Sequence, residues 1–192
     1  MNLMSNLILL QVYVAVFLKE SPSLRKILIM IMIIVSIIHR FETGFHQSIP
    51  RSNRTYAIPQ EWDQELNIQR FGFHGASHHY IADRVADKFN RSDLKIISCH
   101  LGGSSSLTAI RDGKSVATSM GASPQSGILQ NNRVGDFDPF TLPLIIRQTG
   151  LSLEAVLEKL ANSGGLLGIS GKSGDVRDLE QAAAAGRVSY YR

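Results

Sequence analysis

Four short segments carry polar side chains where a fold alone does not ask for them. Phe41-Glu42-Thr43-Gly44-Phe45-His46 puts a carboxylate directly after a long apolar run. An acid at the end of a buried strand suits catalysis or metal work; it equally suits a strand end facing solvent. Phe71-Gly72-Phe73-His74-Gly75-Ala76-Ser77-His78-His79 sets two glycines around His74, which lets backbone approach a ligand closely. His74 and His78 have the spacing of two metal ligands on one helix face, but no acidic third ligand stands beside them. Gly75 argues against a helix continuous from His74, and capping of a helix by Ser77 is the structural alternative. In Ser98-Cys99-His100-Leu101-Gly102-Gly103-Ser104-Ser105-Ser106 a strand opens into a Gly/Ser turn. Backbone N–H groups in such a turn can cradle phosphate oxygens; a plain hairpin bend accounts for it too. Asn131-Asn132-Arg133-Val134-Gly135-Asp136-Phe137-Asp138-Pro139 isolates an arginine among amides and glycine, which suits an anion clamp or a surface ion pair of Arg133 with Asp136 or Asp138.

The elements that must hold these segments read as an α/β chain. Ile81, Val85 and Phe89 fall on one helical face. Leu94 to Leu101 reads as a buried strand. Ser106 to Ile110 and Lys114 to Thr118 flank Arg111-Asp112-Gly113, and Asp-Gly is the strongest short hairpin signal. Ser152 is the expected N-cap of a helix through Leu153, Val156, Leu157 and Leu160 that stops at Ser163-Gly164-Gly165. Asp175 is placed to cap a last helix through Gln181 to Ala185, ended by Gly186.

The first forty residues differ from the rest. Leu7 to Leu18 and Ile27 to Ile38 are apolar runs interrupted only by Gln11 and Ser36. Each is shorter than the roughly 20 residues a membrane helix needs. The first basic residue is Lys19, too late for a secretory signal. The isoleucine-rich second run reads as a buried strand; membrane association and an inauthentic start are the other readings. The 192-residue length allows one ordinary domain or two small ones, and 44% hydrophobic with 19% charged residues excludes disorder. The formal net charge is +4, of which +3 falls in residues 1–40, so no basic stripe points to nucleic acid. Cys99 is the only cysteine, which rules out an intrachain disulfide and fits a reduced, cytoplasmic setting.

Together, and in this order, the segments resemble the acetate kinase family, which phosphorylates short carboxylic acids with ATP. The resemblance covers Phe41 to Arg187. It rests on Arg70-Phe71-Gly72-Phe73-His74-Gly75-Ala76-Ser77-His78, Ile97-Ser98-Cys99-His100-Leu101-Gly102, Asp112-Gly113-Lys114-Ser115-Val116, Thr118-Ser119-Met120-Gly121 and Gly165-Leu166-Leu167-Gly168-Ile169-Ser170-Gly171. It implies a partial actin/Hsp70/sugar-kinase-like α/β fold. Residues 1–40 would be a divergent apolar segment, 41–93 the catalytic-acid strand and the linker with the Phe-His-Gly-Ala-Ser-His motif, and 94–192 an incomplete nucleotide-binding domain. It also implies roles. Glu42 takes the position of the catalytic aspartate, His74 that of the histidine touching the transferring phosphoryl group, and Arg133 that of the arginine stabilising the transition state. His100, Leu101, Gly102, Gly103 and Ser104 match the loop holding the ATP phosphates, and Asp175, Val176 and Arg177 a segment contacting the nucleoside.

The implied partners are ATP or ADP and acetate or another short-chain carboxylate, with Mg2+ as cofactor and a homodimer for the complete protein. The chain departs from the pattern in three places: Glu42 for Asp, Gly103-Ser104 for Asn-Gly, and Asn131-Asn132 for Gly-Thr. A misplacement of about 1 Å can cost on the order of 100-fold in rate, so the extra methylene of Glu42 bears on activity. The segments that carry the family's magnesium-holding side chains have no match here. The expectation is an acetate kinase-type phosphotransferase, and as an isolated chain one that is poorly soluble and nearly inactive. The alternatives are a non-catalytic nucleotide-binding or interaction module of that family and a membrane-attached relic.

Overall fold

The computed structural model describes residues 42–186, together with Met30. The apolar runs Leu7–Leu18 and Ile27–Ile38 lie outside the described residues apart from Met30, which is helical where the second run was expected to be a strand. Residues 42–44 are helical as well and pass into a 3₁₀ turn, Phe45–Ser48. Glu42 therefore does not close a strand, contrary to the sequence expectation. Two short helices follow, α1 (Arg51–Arg54) and α2 (Gln60–Leu66), and then the long helix α3 (Gly75–Phe89).

Three antiparallel strands in the order β1-β2-β3 form the sheet: β1 (Lys95–Leu101), β2 (Ser105–Arg111) and β3 (Lys114–Thr118). Asp112 and Gly113 join β2 to β3 with φ of 51° and 72°. Both lie in the left-handed region that a tight hairpin turn demands, so the Asp-Gly pair is read correctly from sequence. Beyond the sheet come a second 3₁₀ turn (Pro139–Thr141) and helices α4 (Leu142–Thr149), α5 (Leu153–Asn162), α6 (Gly165–Ser170) and α7 (Val176–Ala184). The stop expected at Ser163-Gly164-Gly165 is a break between two helices, because Gly165 opens α6. Among the described residues no helix is long and apolar enough to cross a membrane.

The register places Ile96 opposite Ile110, Ser98 opposite Thr108, and His100 opposite Ser106. Directly paired residues share a face of the sheet. One face, against which α3 and the first 3₁₀ turn pack, is thus lined mainly by hydroxyls and an imidazole. Ser98, Ser106, Thr108, Ser115 and Thr118 are buried, and the buried apolar residues among those described are Ile49, Ala82, Ile110, Met120, Val156 and Leu179. The other face of β1 turns Ile97 and Leu101 outward at 68% and 72% exposure. The strand is therefore not buried on both faces, as its apolar run suggested. An apolar run gives no information about which alternate residues point inward once the inward ones are needed for hydrogen bonding.

Helix ends follow the sequence signals. Ser152 Oγ accepts from the Ala155 N–H at 3.2 Å at the head of α5, and Asp175 Oδ1 accepts from the Arg177 N–H at 2.9 Å at the head of α7. Replacing Ser152 with alanine leaves that N–H to water and is expected to cost about 1 kcal/mol. A denaturant titration checks this; S152D should restore most of the loss, and an unchanged midpoint for S152A would remove the cap from the account.

Candidate functional site

The loop before α3 delivers His74. Gly72 has φ of 74°, and a Cβ there would come within 2.7 Å of the His46 ring and of Thr118 Cγ2, so only glycine lets this loop lie on the sheet. His74 then takes a left-handed conformation itself, with φ of 59°. For a residue with a side chain that costs about 1–2 kcal/mol. Its N–H donates to Glu42 Oε2 at 2.8 Å, and its carbonyl accepts from the His78 N–H, which starts α3. The helix thus begins at Gly75 with His74 as its N-cap residue. Ser77 lies inside the first turn and does not cap; its hydroxyl is hydrogen-bonded to His100 Nδ1 at 2.9 Å.

Four imidazoles gather between α3 and the sheet. The His74 and His100 rings stack with centroids 4.0 Å apart, and His78 lies 6.4 Å from His74 and 5.9 Å from His46. Ser106 Oγ is 2.8 Å from both His74 Nδ1 and His78 Nε2, and His78 Nδ1 is 2.8 Å from Ser98 Oγ. His46 Nε2–H donates to the Phe73 carbonyl at 2.8 Å, which leaves Nδ1 to accept from the Ser115 hydroxyl at 2.9 Å. His46 and His78 are fully buried. Burial comes first among the causes that push His46, His74 and His78 below the ordinary value of 6.5, His78 to about 4, with neighbouring imidazoles adding to the effect on His74 and His78. All three are neutral at neutral pH. Among the described residues there is no group of three or more His, Cys, Asp or Glu that could hold a metal ion, and the ring nitrogens of His78 are both taken by Ser98 and Ser106. The magnesium that the resemblance implies has no ligand set here, and no step below passes through it.

Arg133 reaches the same region from the other side. Its Nη1 donates to Ser104 Oγ at 2.8 Å, and neither Asp136 nor Asp138 pairs with it. The surface ion-pair alternative is thereby replaced by a link to the Gly/Ser turn. Ser104 Oγ donates in turn to Gln130 Oε1 at 3.1 Å, which also accepts from the Ser105 N–H at 3.3 Å. The Asn131-Asn132-Arg133 loop is clasped by the head of α6. Leu166 and Leu167 donate their N–H groups to the Gln130 and Asn131 carbonyls, both at 2.8 Å, and Gly164 donates to Asn132 at 2.9 Å. Gly165 allows this approach: its φ is 60°, and a Cβ would lie 2.2 Å from the Gln130 carbonyl oxygen.

In the turn itself, His100, Leu101, Gly102, Gly103 and Ser104 run from the end of β1 toward β2, and the Gly102 N–H closes back on the Ser104 carbonyl at 3.2 Å. The Asn131 N–H donates to the Gly103 carbonyl at 3.4 Å. On its far side, Asn131 touches Gly174, whose Cβ position is 2.7 Å from the Asn131 carbonyl oxygen. That contact sets Asp175, Val176 and Arg177 next to the loop. The Asp175 carboxylate caps α7 and takes the Arg177 guanidinium at 2.5 Å, which holds its pKa down to about 2. Sequence reasoning missed His46, Ser98, Ser106, Ser115 and Gln130. The usable signal was the alternation of polar residues, Ser98 and His100 along β1 and Ser106 and Thr108 along β2.

With this geometry in place, the likeness to known proteins is specific. Solved structures to which this chain is similar include the acetate kinase of Porphyromonas gingivalis (TM-score 0.73, 33% identity, 76% of this chain and 37% of that one) and a propionate kinase of Francisella tularensis (TM-score 0.73, 39% identity, 76% and 38%). The described portion is therefore part of the actin/Hsp70/sugar-kinase-like fold of those enzymes. A model of the acetokinase family matches residues 18–189, and the chain belongs to that family. Curated relatives include an acetate kinase of Geobacillus sp., 45% identical over 148 residues, and a propionate kinase of Citrobacter rodentium, 47% identical over 148 residues. In each case the match takes in 76% of this chain and 37% of the relative's length.

Two outcomes follow from the site's packing. Gly165→Ala must drive the Gln130 carbonyl away and adopt a left-handed conformation, and is expected to cost roughly 2–4 kcal/mol in denaturant unfolding; a neutral substitution would show that α6 does not clasp the loop. The neutral histidines give a pH dependence with a definite sign. Their folded-state pKa values are below the unfolded value, so the unfolded chain binds protons more readily. Stability is full above about 6.5 and falls as pH drops toward about 4. His78→Gln should flatten that fall in urea midpoints measured across the window, and a slope equal to that of the unsubstituted chain would contradict the assignment.

Proposed function

We propose that this chain carries the phosphoryl-transfer face of a short-chain carboxylate kinase that makes an acyl phosphate and ADP from ATP and acetate or propionate. The observation that supports this reading most is convergence on one side chain. Three groups from three separate segments meet His74: Glu42 Oε2 accepts its N–H at 2.8 Å, the His100 ring stacks on its ring at 4.0 Å, and the Arg133 charge helps to lower its pKa. The family membership and the acetate and propionate kinase relatives support the same reading.

In the proposed reaction an oxygen of the acceptor carboxylate attacks the γ-phosphorus of ATP, the bond to the β–γ bridging oxygen breaks, and ADP leaves. The acceptor is ionised at neutral pH, so no strong base is needed. Negative charge spreads over the equatorial phosphoryl oxygens, and the protein's part is positioning and charge stabilisation. Arg133 supplies a permanent positive charge with fixed donors. His74 supplies a neutral donor whose ring is braced by His100 and Ser106. Glu42 sets the His74 backbone through its hydrogen bond and faces the acceptor side. The His100–Ser104 turn would hold the ATP phosphates, with the Gly103 and Ser104 N–H groups, which have no acceptor among the described residues, as its donors. Asp175, Val176 and Arg177 would flank the nucleoside. ATP with Mg2+ and a cytoplasmic setting belong to this reading, as does a homodimer.

A second reading has an observation of its own. Ile97 and Leu101 offer an exposed apolar face on the outer strand, which suits a non-catalytic nucleotide-binding or interaction module. Trapping of acyl phosphate from ATP and acetate separates the two: turnover supports the kinase, and ATP binding without turnover supports the module. Within the kinase reading, Arg133→Ala should lower kcat by about a thousandfold while ATP affinity changes only a few-fold. Equal losses in both would contradict a transition-state role for Arg133.

A further inference from the structure

The serine and histidine side chains beneath His74 are linked by three hydrogen bonds that share a limited supply of protons. His78 Nδ1 meets Ser98 Oγ, His78 Nε2 meets Ser106 Oγ, and Ser106 Oγ meets His74 Nδ1, each at 2.8 Å. Both histidines are neutral at neutral pH, because burial and neighbouring imidazoles depress their pKa values. Each imidazole therefore holds one N–H, and each hydroxyl has one hydrogen to donate. Three arrangements make all three bonds. In the first, Ser98 donates to His78 Nδ1, His78 Nε2–H donates to Ser106, Ser106 donates to His74 Nδ1, and His74 carries its hydrogen on Nε2. In the second every bond is reversed, and His74 Nε2 is bare. In the third Ser98 and His78 are as in the first, but Ser106 accepts from both His78 Nε2–H and His74 Nδ1–H, and His74 Nε2 is again bare.

The three arrangements are not equivalent. Ser98 is buried at 3% exposure, and the only hydrogen-bond partner of its hydroxyl among the described residues is His78. Ser106 is fully buried, and its hydroxyl meets only His74 and His78 among the described residues. In the first arrangement both hydroxyl hydrogens are used. In the second the hydrogen of Ser98 is left in the interior without an acceptor, and in the third that of Ser106 is. An unmade buried donor is costly enough to favour the first arrangement by on the order of tenfold or more.

We infer that Ser98, His78 and Ser106 form a buried, directional hydrogen-bond chain that holds His74 as its Nε2–H tautomer and so makes it a donor toward the site. That this donor meets a phosphoryl oxygen rests on the function proposed above; the tautomer itself does not. Ser98, His78 and Ser106 are thus positioning residues. His78 and Ser98 act on the reacting group through Ser106, without touching it.

The test is ¹⁵N spectroscopy of the full chain labelled at the histidine ring nitrogens, near neutral pH, where protonated and bare nitrogens resonate far apart. The expected spectrum shows Nε2 protonated and Nδ1 bare in both His74 and His78. Nδ1 protonation of His74, or an even mixture of tautomers, overturns the inference. In Ser106→Ala, His74 Nδ1 loses the hydroxyl that donates to it, and the Nε2–H fraction of His74 should fall toward the mixture of a free imidazole. An unchanged fraction in that variant would remove Ser106 from the account. If the variant does not fold, the spectrum of the unsubstituted chain still decides the tautomer. The measurement needs no turnover. The expected tautomers without acyl phosphate formation would leave the chain standing and remove the kinase reading, and the reverse result would do the opposite.

Discussion

An imidazole or hydroxyl taken out of water costs free energy unless each of its polar atoms finds a partner, and that constraint governs the interior between α3 and the sheet. His46 binds Ser115 and the Phe73 carbonyl, His78 binds Ser98 and Ser106, and Thr108 binds Thr118. A one-residue slip of β1 would send Ser98 and His100 outward and bring Ile97, Cys99 and Leu101 inward. On apolar burial alone the slip would be favourable. It is blocked because it would leave His78 without a partner at Nδ1 and Ser77 without His100. The register is therefore set by hydrogen-bond satisfaction, and the outward isoleucine and leucine are its consequence.

The same constraint explains how a strained residue persists at the centre of the site. His74 occupies a left-handed conformation that a glycine would adopt freely. It is fixed at the backbone by the Glu42 carboxylate and at the ring by Ser106 and the stacked His100. A residue over-determined in this way keeps its strain and its orientation together. Because its ring is committed to Ser106, it cannot cap α3 by its side chain, and the helix starts without a side-chain cap.

Legibility from sequence divides along this line. Turn and cap chemistry is local, so Asp112-Gly113, Ser152 and Asp175 announce the hairpin and two helix starts within a few residues. The segments around His74, Arg133 and the Gly/Ser turn also stand out, through glycine and polar clusters that periodicity does not require. What is not local is not legible. Nothing near Ser106 says that it lies between two imidazoles. Nothing near Arg133 says that its partner is Ser104 and not the aspartates three and five residues along. Ser77 has the type of a cap, and only the backbone of His74 shows that the helix has already begun. The apolar character of β1 pointed to burial on both faces because pattern counts hydrophobic residues without weighing the partners that the inward polar ones must meet.

The departures from the acetate kinase pattern can be read in the same terms. Ser104 stands where the sequence resemblance leads one to expect glycine, and its hydroxyl accepts from Arg133 while donating to Gln130. A glycine could do neither. Asn131 also stands where the pattern has glycine; its N–H donates to the Gly103 carbonyl, and its amide nitrogen is 3.8 Å from the Gly103 Cβ position, where the pattern has asparagine. The exchanged residues thus meet one another across the turn, with a Cβ at 103 in ordinary van der Waals contact with the Asn131 amide. Substitutions in contact are energetically coupled, while distant ones add independently. Seen this way, the residues at 103, 104 and 131 form a single local cluster, tied to Arg133 through the Ser104 hydroxyl, while Glu42 lies apart on the His74 N–H.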